Sequence, residues 1–208
     1  MSATSILNTC ALLVSSRVAI EKSFIPYVRD LQTPSRLAAL VHGILCSVAL
    51  WEGQWLEAIQ STGLFFLVDG VMNGKRLTWD TTLHHLLGMA LCLFSTVTGS
   101  FETGHFGSEL TRALILMEVS NPLLHLLVTL RKEKLEHKLP RLALQLMQGI
   151  FLLQFAGIRI GLLGHALYNL TYILEKATDF ELSMYWISLS MWILQWIWCI
   201  KLVKARTK

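Results

Sequence analysis

Thr81-Thr82-Leu83-His84-His85-Leu86-Leu87-Gly88-Met89-Ala90-Leu91-Cys92-Leu93-Phe94 opens with hydroxyls and two adjacent imidazoles and then turns wholly apolar. The apolar half reads as a segment that lies in a lipid bilayer. At that depth two imidazoles cost free energy unless they face partners or water. Ionisable groups inside a membrane segment are candidates for function, so His84 and His85 are the first site residues this chain offers.

Composition agrees with the bilayer. The chain has 208 residues, of which 53% are hydrophobic and 15% charged, and its mean hydropathy is +0.52. A soluble domain carries about 25% charged residues, and this length is too short for several domains. Apolar segments lie near 3–20, 36–51, 55–72, 81–99, 111–130, 142–168 and 184–203. A span needs about 20 residues. The expected fold is therefore all-α, a polytopic membrane bundle of about seven transmembrane helices. Residues 1–34 form a first transmembrane segment and a cytosolic linker, 35–203 the main domain, and 204–208 a basic cytosolic tail.

Charges between the segments set the topology. Arg17, Lys22, Arg29 and Arg36 precede the second segment, Lys75 and Arg76 the fourth, and Arg131, Lys132, Lys134, Lys138 and Arg141 the sixth. The tail carries Lys201, Lys204, Arg206 and Lys208. Only Arg112, Arg159 and Lys176 of the 18 Lys and Arg fall elsewhere. The alternate connections hold Glu52, Glu57, Glu102, Glu109, Glu175, Asp179 and Glu181. By the positive-inside rule the C-terminus is cytosolic and the N-terminus lumenal. The formal charge of +4 is thus an orientation signal. No basic run is interleaved with aromatics as a nucleic-acid surface would require, so no nucleic-acid partner is expected.

The seven tryptophans lie mostly near span ends, as interfacial aromatics do. Cys10, Cys46, Cys92 and Cys199 show no metal spacing and read as apolar fillers, and no metal is expected. No phosphate loop or nucleophile elbow occurs. Asn169-Leu170-Thr171 is a sequon on the expected lumenal side.

Within the spans, polar residues recur at helical spacing. Thr81, His84, His85 and Gly88 share one face, as do Asp69 and Asn73, and Glu118, Asn121, Pro122 and His125. Gln145, Gln148 and Arg159 fall within about 60° of one another at about 100° per residue. Turning these stripes inward to a shared cavity avoids exposing charge to lipid. Asp69 or Glu118 then pairs with Arg159 or with a histidine. Plainer readings stand beside these: histidines as packing residues, Asp69 as a helix-end group, Glu118 with Arg159 as a structural ion pair. Pro122 kinks its helix, and the freed carbonyl takes Asn121 or a water as partner. Gln145 and Gln148 read as interhelical hydrogen-bonding residues, and Gly157-x-x-x-Gly161 as a close-packing motif.

Ser35-Arg36-Leu37, His42-Gly43, Asp69, His84-His85, Leu116-Met117-Glu118-Val119-Ser120-Asn121-Pro122-Leu123-Leu124 and Gly157-Ile158-Arg159-Ile160-Gly161 occur in this order. Together they resemble the TLC-domain family (TRAM, Lag1 and CLN8), and in particular its small TLC-domain-containing branch, from about residue 35 to the C-terminus. The resemblance implies a helix bundle around a lipid-accessible central cavity, in the endoplasmic reticulum. In the ceramide synthase branch the paired histidines are catalytic and serve N-acylation of a sphingoid base by acyl-CoA. Carried over, these are His84 and His85, with acyl-CoA as co-substrate rather than a bound cofactor; the polar stripes supply Asp69, Glu118, Asn121 and Arg159 as their cavity partners. That branch has a later His-Asp-x-x-Asp element, where this sequence reads Met117-Glu118-Val119-Ser120-Asn121. Other members of the small branch are associated with phospholipid composition and lipid homeostasis.

An imidazole of near-neutral pKa can take a proton from an amine or accept an acyl group. Lys75 and Arg76, on the expected cytosolic side, either steer the anionic head of acyl-CoA or only set orientation. Three functions follow: a lipid-modifying enzyme, with acyl transfer as its sharpest form; a non-enzymatic lipid-binding protein or regulator of membrane composition; and a proton-coupled channel or transporter. Unbroken spans argue against most transporter designs. Membrane lipids are the expected partners, and the sequence names no protein partner.

Overall fold

The computed structural model describes residue 19 and residues 33–73, 77–99 and 107–206. Among these, every regular element is helical. Six rods carry the architecture. α1 (Thr33–Trp51), α2 (Trp55–Asn73) and α3 (Trp79–Thr98) come first. α4 runs from Ser108 to Lys132 and α5 from Arg141 to Thr171, and α6 covers Asp179–Arg206. α2 packs along α3, α1 lies against α2 and the second half of α4, and α6 lies against α3 and α5.

The distribution of side chains is that of a protein whose solvent is lipid. Leu153 is 76% exposed and Val97 70%, whereas Arg159 is 1% and Gln195 0% exposed. Water as solvent would select the reverse arrangement, because burying polar groups costs free energy and burying apolar ones gains it. Hydrocarbon removes the penalty on exposed leucine and moves the polar groups to the inside of the bundle.

Four rods are long and apolar enough to cross a bilayer: Pro34–Trp51, Trp79–Thr98, Ser108–Lys132 and Arg141–Thr171. The expected count of seven is therefore not reproduced. The segment expected at 3–20 lies outside the described residues apart from residue 19. α2 and α6 have the length of a span, at 19 and 28 residues. Their apolar character is diluted by Asp69 and Asn73 in α2 and by Gln195 and Lys201 in α6, of which the first three are buried.

Two rods depart from α-geometry where they meet the polar interior. In α4, Met117–Ser120 tightens into a 3₁₀ turn ahead of Pro122. Pro122 has no N–H to give to the carbonyl of Glu118. The backbone N–H of Asn121 takes that carbonyl instead, so neither the Asn121 side chain nor a water is needed there. In α5, Phe155–Leu162 widens into π-helical turns, a feature often found at functional sites. Within them the indole Nε1–H of Trp192 donates to the Ile160 carbonyl at 2.9 Å.

The wide turns also shift the phase of α5. Gln145 is exposed and Gln148 half-buried, while Arg159 is buried. The stripe expected from uniform helical spacing is thus broken, because turns wider than 3.6 residues rotate Arg159 away from the two glutamines. Gly157 meets no atom within 4 Å of an added Cβ, so the Gly-x-x-x-Gly pair does not seat a neighbouring helix. Close approach occurs elsewhere. A Cβ on Gly43 would lie 2.7 Å from Cδ of Pro122, and one on Gly88 would lie 2.3 Å from Cε2 of Phe66.

Candidate functional site

A cavity of about 300 Å³ opens between all six rods. Its wall includes Ser35 and Arg36 of α1, Asp69 and Asn73 of α2, His84 and His85 of α3, Asn121 and His125 of α4, Arg159 of α5 and Trp198 of α6. These residues sit in the first halves of α1 and α3, in the second halves of α2, α4 and α6, and just past the middle of α5. All of that chemistry therefore gathers toward one end of the bundle. The cavity reaches that end at Thr78, which is exposed. Arg131, Lys132, Lys134, Lys138 and Arg141 and, near the end of α6, Lys201 and Lys204 lie toward this same end.

The two histidines do different things. His85 brings Nδ1 to 3.7 Å from Oδ2 of Asp69, with its side chain 12% exposed. The other carboxylate oxygen of Asp69 accepts from Ser35 Oγ at 2.8 Å and from Asn73 Nδ2 at 2.7 Å. Asp69 is thereby fixed from α1 and from its own helix, and it faces the His85 ring. The fixed carboxylate thus faces the imidazole within ion-pair reach. Phe66 stacks on His85 at 5.1 Å between ring centroids.

His84 is packed more tightly. Its ring lies between Phe66 at 5.3 Å and Trp198 at 5.0 Å, and Nδ1 is 3.1 Å from the sulfur of Met191. A thioether is only a weak acceptor. Trp198 is held in turn by Asp80, whose Oδ2 accepts from Trp198 Nε1 at 2.8 Å and from Lys201 Nζ at 2.5 Å. Trp198 is therefore a wall of the site, where the sequence had suggested an interfacial aromatic. Trp51, at 92% exposure, keeps that reading.

Arg159 is held by neutral acceptors. Its Nε donates to Ser120 Oγ at 2.7 Å, Nη1 to Gln195 Oε1 at 3.1 Å and Nη2 to the Met117 carbonyl at 3.2 Å, with a further contact from Nη2 to Asn121 Oδ1. Asn121 passes the contact on, donating from Nδ2 to Glu118 Oε2 at 2.7 Å. Glu118 and Arg159 are thus linked through an amide and form no direct ion pair, against one of the two readings of that pair. Glu118 also lies 4.0 Å from His42 Nε2. Its carboxylate borders a separate apolar void of about 30 Å³ that shares His84 with the main cavity.

Of the candidate residues, His84, His85, Asp69, Asn121 and Arg159 share one cavity, and Glu118 stands one residue behind Asn121. Sequence reasoning missed the roles of Ser35, Asp80, Ser120, Met191 and Gln195. Asp80, an acid in the first turn of α3, was a visible signal. Among the described residues no cluster of side chains suits a metal ion.

Fold and site define a class: a helical membrane protein with an ionisable, histidine-bearing chamber enclosed by its rods and open at the basic end. Residues 38–204 match the family model of the TLC domain (TRAM, Lag1 and CLN8). The chain belongs to the TLC-domain family. Membership makes it a membrane protein related to lipid metabolism. No curated protein and no solved structure matches it.

Proposed function

We propose that this protein handles the polar head of a membrane lipid in its cavity, in the endoplasmic reticulum, with the C-terminus cytosolic and the N-terminus lumenal. The observation that carries this is the single chamber that collects Asp69, His84, His85, Asn121 and Arg159 and reaches the basic end of the bundle. A lipid whose tails stay among the exposed leucines can place its head there, and a cytosolic co-substrate can meet it from Thr78.

The sharpest form of the proposal is acyl transfer from acyl-CoA to a lipid amine, sphingoid or phospholipid. His85, backed by Asp69, is the base. The amine nitrogen attacks the thioester carbonyl, a C–N bond forms and the C–S bond breaks. The amine proton passes to His85, which returns it to the departing thiolate. His84, between Phe66 and Trp198 and with Met191 at its Nδ1, lines the same chamber. The second reading is a non-enzymatic lipid-binding regulator of membrane composition. It is supported by the packing of His84 against Trp198, Phe66 and Met191 and by the absence of the His-Asp-x-x-Asp element at 117–121.

The test compares cellular lipid profiles of His84→Ala and His85→Ala with wild type at equal protein levels. Catalysis predicts near-complete loss of one lipid product in His85→Ala. Unchanged profiles in both variants sink the enzymatic form and leave the binding form.

A further inference from the structure

Arg159 heads the large side chains withdrawn from solvent, at 1% exposure. A guanidinium has five N–H donors, and the four contacts described above go to a hydroxyl, two amide oxygens and a backbone carbonyl. One N–H on Nη1 is left over. A buried cation served only by neutral acceptors is costly unless an anion completes its surroundings. Glu118 acts on it only from behind Asn121, without direct contact. The guanidinium borders the cavity instead, together with Arg36 and His125. Asp69 is the acid on the same cavity wall, but it belongs to α2 and is engaged by Ser35, Asn73 and His85. Acid and base thus occupy different rods of the chamber.

We propose that the Arg159 side of the cavity is an anion site for a phosphate group, with Arg159 as its counter-charge. The inference rests on the lipid-cavity reading and narrows its ligand to phosphate-bearing molecules. Phosphate oxygens on a guanidinium make short charge-assisted bonds, about twice as strong as neutral ones. Two sources share this chemistry: the head of a phospholipid arriving from the bilayer, and the phosphates of coenzyme A arriving from the basic end.

Arg159→Gln is the direct variant, but it strips an interior network. Gln195 offers a gentler one. It is 0% exposed, its Oε1 accepts from Arg159, and its Nε2 has no hydrogen-bond partner. Gln195→Glu keeps the acceptor, removes the orphan donor and sets a carboxylate on the guanidinium. The full-length chain in detergent is offered phosphatidic acid, diacylglycerol with the same acyl chains, or coenzyme A, and binding is read by native mass spectrometry beside the Tm. The expected result is phosphatidic acid bound in preference to diacylglycerol, with affinity lowered about tenfold or more in Gln195→Glu and the unliganded Tm unchanged or raised. Binding of coenzyme A alone, lost in Gln195→Glu, supports the site with the soluble carrier as its source. Equal binding of phosphatidic acid and diacylglycerol by the wild type overturns the anion site and leaves the lipid cavity standing, whatever the variant does. Binding of none of the three by the wild type overturns both.

Discussion

A hydrogen atom in place of a methyl group governs the histidine pair. Gly88 lies one turn beyond His84 and His85 on the same face, and Phe66 fills the space above it. That ring stacks on His85 and meets the edge of His84. In Gly88→Ala the new Cβ would stand 2.3 Å from Phe66 Cε2, so the ring must move and both imidazoles lose their wall. Overpacking of this kind costs about 1–3 kcal/mol. The expected outcome is a lower Tm in detergent together with loss of ligand binding, and Phe66→Leu in the same chain should restore part of both. A Tm unchanged by Gly88→Ala would show that Phe66 does not seat the pair. The residues of this face were legible in the sequence, because i, i+3 and i+4 spacing depends only on the helix they share. Their partners were not. Nothing local connects Ser35 with Asp69, or Gln195 with Arg159, across separations of 34 and 36 residues.

At the scale of the rods, the site depends on where α3 begins and α6 ends. Asp80 ties them, taking the Trp198 indole and the Lys201 ammonium on one oxygen. Lys201 is half in solvent, so its charge contributes little, whereas the indole N–H is partly buried. Asp80→Asn keeps an acceptor for the indole and should be mild. Asp80→Ala leaves that partly buried donor unmet, at about 1 kcal/mol. The ordering Ala worse than Asn in thermal unfolding checks this, and equal Tm values would assign the clasp to Lys201 instead. The π-helical turns of α5 make a second case. The wide turns set the face on which Arg159 emerges, so deleting Gly157, which touches no neighbour, should return α5 to ordinary spacing and swing Arg159 out of the cavity. Loss of phosphate-ligand binding with helical content retained by circular dichroism is the expected signature. Rod existence was legible from hydropathy, and the inward face of α4 from its spacing. The phase of α5 was not, since a uniform period hides an inserted wide turn. The interior role of α6 was also hidden, because its apolar and polar positions are spread around the helix.

The whole molecule has a chemical direction. The turn at residues 52–54 carries Glu52, while the opposite end carries the bases and the cavity mouth at Thr78. If positive charge stays on the cytosolic side, a soluble anionic substrate meets the chamber from the cytosol, and a lipid head must reach the same depth from within the bilayer. Orientation therefore decides which compartment supplies the second substrate. Single cysteines at Thr78 and at Gln54, both exposed, can be placed in a background with Cys10, Cys46, Cys92 and Cys199 replaced by alanine. In sealed microsomes with the cytosolic face outward, a membrane-impermeant maleimide should label Thr78→Cys at once and Gln54→Cys only after the membrane is permeabilised. Prior incubation with a cavity ligand should slow labelling at Thr78→Cys and leave Gln54→Cys unaffected. Labelling in the reverse order places the mouth in the lumen, where acyl-CoA from the cytosol has no path to His85, and acyl transfer from that donor is then ruled out on geometry alone.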